Sequence, residues 1–575
     1  LSLIETGVLP LRFLPVNSHA MLVELEDLAQ VLALFEALQA EPLPGVEELV
    51  PAARTVLVRF QPALICREVL AGHITALRTQ TGAQQPGELV EIPVRYDGED
   101  LDEVAQLLGL SREEVIRRHT GSAYSVAFTG FAPGFAYLAG GDPVFDVPRR
   151  TSPRTRIPAG AVGLAGRFSG VYPQASPGGW QIIGVTDVPM WDATRAVPAL
   201  LQPGMRVRFI EQRGPVGAPV FSRSGQHQPH SRPQARLPAV GSVTAAAATG
   251  MSACVMRQPG LLALFQDQGR PGLASQGVSA SGALDQAALR EANRLVGNAA
   301  GTACIEFVPG GFEIECQGDV VIAVTGADAP LMLRDREGRH AGLPSHCPLA
   351  LTDGERFQAG PARAGSRAYL AVRGGFAVET FLGSASSDTL AHIGPDALRA
   401  GDRLPVLPAR HGCVGEPAVS RPDMPAPGET VWLDITLGPR ADWFTDAALA
   451  LLLQQAWQVT PQSNRVGIRL QGAVPLARSL TAELPSEGTV AGALQVPPSG
   501  QPVLFLADRP LTGGYPVIAC VAPHDLDRAG QIPVGALVRL RVLEPFQSII
   551  PERRPIAGDV SAAAPASSPS ILPLP

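Results

Sequence analysis

Thr129-Gly130-Phe131-Ala132-Pro133-Gly134-Phe135-Ala136-Tyr137-Leu138 opens, and Ser176-Pro177-Gly178-Gly179-Trp180-Gln181-Ile182-Ile183-Gly184-Val185-Thr186 closes, the stretch on which the fold of this chain turns. Between them lie an arginine cluster (Arg149, Arg150, Arg154, Arg156) and the small-residue run Pro158-Ala159-Gly160-Ala161-Val162-Gly163-Leu164-Ala165-Gly166. Paired glycines reach backbone shapes closed to residues with a Cβ, and proline fixes φ, so both segments form defined turns between short strands. Rings beside such turns either fill a β core or wall a cleft, and arginine forks hold a carboxylate or phosphate. Phe131, Pro133, Phe135, Tyr137, Arg149, Ser176, Gly178, Gly179 and Trp180 are therefore candidate substrate contacts.

Working outward, residues 89–212 read as one unit. Asp100 to Leu108 carries an acidic helix start, and Ser111-Arg112-Glu113-Glu114 is a capping box for a second helix ending near His119. Short strands with glycine and proline turns follow to Phe209, the pattern of a sandwich or barrel. His119 closes its helix either as a C-terminal cation or as a general base, and it is kept as a catalytic candidate. Before this unit, residues 1–88 alternate as ββαββα, a small α+β domain without a polar cluster.

Beyond it, residues 213–252 are rich in Gln, His, Pro, Ser and Ala and read as a flexible linker, with no metal site in His227 or His230. A second set of motifs then begins. It includes Gln266-Asp267-Gln268-Gly269-Arg270, Gly277 to Asp285, a helix from Gln286 to Leu295, and Arg367 to Phe376. Later come Gln462-Ser463-Asn464-Arg465-Val466-Gly467, Ser486-Glu487-Gly488, Gly492 to Pro497, Ala507-Asp508-Arg509 and Thr512-Gly513-Gly514-Tyr515-Pro516. Asp285 either caps the helix or serves a site, and Asn293 lies about two turns further on the same face. The divisions expected are 253–430 and 431–550 for two barrels, with a disordered tail at 551–575 rich in Ala, Ser and Pro.

Composition narrows the chemistry. The 575 residues exceed a single core, and 60 Gly with 55 Pro favour turn-rich β architecture. A formal net charge of −7 argues against a nucleic-acid groove. Seven cysteines, at 66, 254, 304, 316, 347, 413 and 520, show no Cys-x-x-Cys spacing, which fits reduced thiols in the cytoplasm rather than a zinc site or disulfide frame. No apolar run reaches membrane-spanning length. All 46 Lys+Arg residues are arginine, so the chain has no lysine for biotin, a Schiff base or a phosphate loop. Ser-x-x-Lys, Gly-x-Ser-x-Gly and His-x-x-x-His are absent as well.

The first two motifs, with Pro93-Val94-Arg95-Tyr96-Asp97-Gly98-Glu99-Asp100-Leu101 and His119-Thr120, resemble the B-type component family of 5-oxoprolinase, also described as Kip-type kinase inhibitors or allophanate hydrolase subunit 1, over most of residues 1–212. The motifs from Pro259 to about residue 545 resemble its companion, the C-type component family, also described as allophanate hydrolase subunit 2 or biotin-dependent carboxyltransferase. One departure is Leu382-Gly383-Ser384-Ala385-Ser386-Ser387-Asp388-Thr389-Leu390, which lacks the basic residue often found soon after Leu-Gly-Ser-x-Ser. The resemblance implies a mainly β chain: a ferredoxin-like α+β domain, then cyclophilin-like β-barrels, the C-terminal half a tandem pair.

It also implies a fused B–C component of ATP-dependent 5-oxoprolinase, acting on 5-oxoproline with a separate A-type component of the lactam-utilisation type, ATP and Mg²⁺, without biotin on this chain. Homo-oligomerisation is left open. Two other readings remain, a regulator of a sensor histidine kinase and a carboxyltransferase-like component. Opening a lactam requires a fork for the carboxylate, oxyanion donors and proton-handling groups. The candidates are Asp267, Asp285, Glu487 and Asp508 as acids or bases, and Gln266, Arg270, Asn293, Asn464, Arg465, Gln495, Thr512 and Tyr515 as substrate contacts.

Overall fold

The alternating apolar runs near the N-terminus form a four-stranded antiparallel sheet. Its strands are Arg12–Asn17, Ala20–Glu24, Val46–Pro51 and Thr55–Phe60, ordered first, second, fourth, third, with helices Leu28–Ala40 and Arg67–Ala76. Because side chains alternate along a strand, Phe13, Met21, Val23, Val56 and Val58 face the helices. Leu14, Val16, Leu22 and Leu57 face the other way, onto Val490, Phe505, Leu511 and Val517. Both faces are thus buried, which joins this domain to the C-terminal part of the chain. The computed structural model describes residues 11–77, 87–150, 152, 154–212, 220–222, 251–409, 412–417 and 422–552.

The next unit is an eight-stranded sheet, ordered Gln181–Val185, Ala161–Ala165, Phe168–Val171, Ala136–Ala139, Tyr124–Thr129, Arg206–Glu211, Leu89–Val94 and Val220–Ser222. The sheet curls back on itself: Arg95 and Val185 exchange both backbone hydrogen bonds at 2.9 Å. Helices Leu101–Leu108 and Arg112–Gly121 pack beside it, the second capped by Ser111, whose side chain accepts from Glu114 N. Val220–Ser222 corrects one expectation, since a strand antiparallel to Leu89–Val94 stands inside the stretch expected to be linker. Most of that linker and the tail from residue 553 lie outside the described residues.

Residues 253–405 form a six-stranded and a five-stranded sheet around Phe307, Phe312, Phe357 and Leu370. The final unit is a closed barrel of Thr430–Leu437, Val517–Val521, Ala493–Gln495, Val503–Phe505, Gly467–Gln471, Trp457–Val459 and Leu537–Glu544, filled by Leu433, Trp457, Leu494 and Leu504. Among the described residues no helix is long and apolar enough to cross a membrane.

Candidate functional site

The glycine–aromatic loop at 129–134 does not end in its own barrel. Thr129 Oγ1 donates to Ala274 O at 2.7 Å, and Gly134 N donates to Gln276 O at 3.0 Å, so the loop seats on a turn of the second half. Gly277 is essential to this seat, having φ +74° and space so close that a Cβ would lie 2.7 Å from Ala132 O. Phe131 also sits at positive φ, 64°, a conformation costing a non-glycine residue about 1–3 kcal/mol. Such stored strain is common where a loop is shaped for contact with a ligand.

Between the halves lies a cleft of about 930 Å³. One wall is the ring set Phe131, Phe135, Tyr137, Tyr172 and Trp180. Phe135 meets Phe131, Tyr172 and Trp180 edge-on, each at 5.3 Å between centroids, an arrangement that rigidifies the wall. The facing wall comes from the closed barrel through Leu484, Ser486, Gln495 and Thr512 to Tyr515, and the floor from Gly277, Ser279 and Asp388 to His392. Four arginines line it, Arg149, Arg150, Arg478 and Arg509, against the acids Asp388 and Glu483, which favours an anionic ligand.

The structure brings together Phe131, Pro133, Phe135, Tyr137, Arg149, Ser176, Gly178, Gly179, Trp180, Gln495, Thr512 and Tyr515 on this cleft. Ser176 Oγ is buried there without a hydrogen-bond partner among the described residues. Gln495 holds the rim by donating to Tyr515 O at 3.0 Å.

The remaining expected residues are elsewhere, and each has a structural reason. Asp267 accepts from Ser384 Oγ at 2.6 Å and Ala385 N at 2.7 Å, fixing the Leu-Gly-Ser-x-Ser loop whose contribution the sequence left open. Gln266 donates to Ser387 O at 2.7 Å, and Arg270 donates to Ser386 O, so both brace that same loop from behind. Asp285 caps the helix Gln286–Val296 through Ala288 N and accepts from Gln531 Nε2 at 2.8 Å; burial lifts it to about 6. Asn293 is buried and donates to Thr302 O at 2.7 Å. Asn464 Oδ1 accepts from Val466 N at 2.9 Å in a turn. Glu487 is ion-paired with Arg440, which also reaches Glu24 of the N-terminal domain at 2.8 Å. Asp508 and Arg465 pair with each other at 2.9 Å, buried between the sheets of residues 253–405 and the closed barrel.

His119 is neither a helix-end cation nor a reachable base. It is fully buried, with Tyr96 Oη 2.7 Å from Nδ1, Ser169 Oγ 3.0 Å from Nε2, and Phe209 stacked at 4.4 Å. Burial lowers it from the ordinary 6.5 to about 3, so it is neutral in the folded state. A histidine depressed in this way contributes stability that is complete above the unfolded value and is lost as pH falls below it, at about 1.4 kcal/mol per pH unit. Urea unfolding followed from pH 7 to pH 5 should therefore show a steeper fall for the native chain than for His119→Gln.

The residues that sequence reasoning did not single out are Asp388, Tyr172 and Arg478, whereas Arg509, one of the arginines the sequence offers for a carboxylate, does line the cleft. Asp388 is 3% exposed; Oδ1 accepts from Leu390 N and Ala391 N, and Oδ2 accepts from Ser279 Oγ at 3.0 Å. Burial, and then the charge of Asp508, raise it to about 6. Its only signal in the sequence was membership of the loop after Leu382. Arg478 is held by Val496 O and lies over Tyr515 at 5.9 Å.

The comparisons with known proteins follow this division. The carboxyltransferase domain, subdomains C and D, matches residues 11–201, and the carboxyltransferase domain, subdomains A and B, matches residues 276–542. The C-type component of 5-oxoprolinase from Escherichia coli (strain K12) is 36% identical over 284 residues, covering 48% of this chain and 86% of that protein. The B-type component of 5-oxoprolinase from Escherichia coli O157:H7 is 38% identical over 175 residues, covering 30% of this chain and 80% of that protein. The crystal structure of TTHA0988 superposes with a TM-score of 0.74 at 36% identity, over 91% of this chain and 99% of that one. The chain belongs to the family of B-type and C-type 5-oxoprolinase components, and it carries both in one polypeptide.

Proposed function

We propose that this chain is the fused B–C component of an ATP-dependent 5-oxoprolinase, opening the lactam of 5-oxoproline to glutamate together with a separate A-type partner. The observation that carries the reading is a cleft whose walls come from both halves, so that neither half alone makes the site. Its rings suit the flat face of a small lactam and its arginines suit the carboxylate. The volume is near the upper end of small-molecule pockets, roughly 300–1,000 Å³, and leaves room beside so small a substrate.

ATP and Mg²⁺ belong to the partner in this proposal, because the cleft residues do not fit them. Glu483 is paired with Arg149 at 3.2 Å, and Asp388 is occupied by two backbone amides and Ser279, so among the described residues no pair of free carboxylates faces the cleft. The chain has no lysine for a phosphate loop. The one described cluster with metal-ligating geometry, Asp434, His524 and Asp525, is outside the cleft and engaged by Arg541.

The test is reconstitution: the chain, its A-type partner, ATP, Mg²⁺ and 5-oxoproline should yield glutamate and phosphate in equal amounts, and neither protein alone should. No product from the mixture would refute the reading. The carboxyltransferase family models favour a second reading, carboxyl transfer to a small amide. With no lysine here, biotin would have to arrive on another chain, and biotin-carrier-dependent carboxylation in place of lactam opening would select it.

A further inference from the structure

Arg509 differs from the other three arginines of the cleft. Arg149 and Arg150 are paired with acids and partly exposed, and Arg478 is only partly buried. Arg509 is 6% exposed, and its one hydrogen bond runs from Nε to Thr489 O at 3.3 Å. That bond sets the plane of the guanidinium, while among the described residues both Nη nitrogens have no protein partner. Burial, and then the nearby Arg59, lower it to about 10, so it stays charged at neutral pH.

The carboxylates around it are already committed. Asp508 is bound by Arg465, Ser281 and Thr389; Asp388 by Leu390 N, Ala391 N and Ser279; Glu48 by Arg59 and Gly272 N. Although the residue as a whole is buried, neither Nη is fully enclosed, so both remain reachable from the cavities that Arg509 lines, and the ligand geometry that matches this free guanidinium edge is a two-oxygen fork. Arg509 also lines a second cavity, of about 420 Å³, on the side of Arg59 and Arg290, and Phe505 is the other residue common to both walls. It thus closes the inner end of the cleft. Thr389 and Ser279 are further polar residues of the same cleft.

We propose that Arg509 binds the carboxylate of the small acidic amide at the closed end of the cleft, with both Nη nitrogens donating to its two oxygens. This rests on the lactam-opening reading and adds the residue that selects an acidic lactam over a neutral one.

The experiment compares the native chain, Arg509→Lys and Arg509→Gln in the mixture reconstituted with the A-type partner, with melting curves confirming that each is folded. KM for 5-oxoproline should rise at least 30-fold in Arg509→Gln and about 10-fold in Arg509→Lys, with KM for ATP unchanged. Inhibition by 2-pyrrolidinone, the same lactam without its carboxylate, should be equal in all three. An unchanged KM for 5-oxoproline would overturn the proposal, and so would a raised KM for ATP, which would place a phosphate on this fork. Equal weakening of 2-pyrrolidinone would also overturn it by revealing general damage. If the native mixture made no glutamate, the function reading would fall separately. Calorimetric titration of native and Arg509→Gln chains with 5-oxoproline would then decide the residue's role, and binding equal in both, or absent from both, would refute it.

Discussion

Arg465→Met is expected to destabilise the second half of the chain by about 3–5 kcal/mol, because it removes the cation from two buried acids at once. Arg465 is 1% exposed; Nε and Nη2 reach Asp508 at 2.9 and 3.0 Å, Nη2 also donates to Gly282 O at 2.6 Å, and Nη1 is paired with Glu306. Glu306 belongs to the sheets of residues 253–405 and Asp508 to the closed-barrel unit, so this arginine fastens one to the other. Left without it, Asp508 keeps only the neutral donors Ser281 and Thr389, and Glu306 keeps only the more distant Arg367 at 3.8 Å as a cation, or the two units separate to admit water. Differential scanning calorimetry should show a fall of roughly 10 °C in the corresponding transition. Neutralising the acids in the same protein, as Arg465→Met/Asp508→Asn/Glu306→Gln, should restore much of the loss, since the cost lies mainly in the unpaired charges.

Gly277→Val should be the most damaging single change at the junction of the halves. The position has φ +74°, and a Cβ would meet Ala132 O at 2.7 Å and Gly130 N at 3.5 Å, so valine must both strain the backbone and lift the 129–134 loop. Gly166→Val is the matched control: φ is +52°, but nothing lies within 4 Å of its Cβ, so only the backbone cost of about 1–3 kcal/mol applies. Both variants should melt lower, Gly277→Val by more. Only Gly277→Val should lose 5-oxoproline turnover in the reconstituted mixture, by a factor of about 100 or more, a size typical of small displacements at a positioned site.

Much of the secondary structure was legible because it depends on local chemistry. The Ser111 cap, the Asp285 cap and the alternating runs of the first sixty residues each state their element within a few positions. The aromatic side of the cleft was legible for a related reason: glycine and proline fix the turns, and a dense ring set between them has to face either a core or a groove. The charged candidates were not, because a sequence does not say which partner a charge will meet. Arg465 finds Glu306 from 159 positions away, and Glu487 is neutralised by an arginine that also grips the first domain. Asp388 was hidden for the opposite reason, since it lies in a loop of small residues and gains importance only when that loop is folded against Ser279.

On the lactam-opening reading the substrate sits between the halves, against Trp180. Trp180 is 6% exposed on the cleft wall and is one of five tryptophans in the chain. Its own contribution is therefore the difference in fluorescence between the native chain and Trp180→Phe, each in complex with the A-type partner. Titration with 5-oxoproline should produce a saturable change in that difference, with half-saturation near the KM of the reconstituted reaction. No Trp180-dependent change at concentrations that saturate turnover would contradict the account and put the lactam elsewhere.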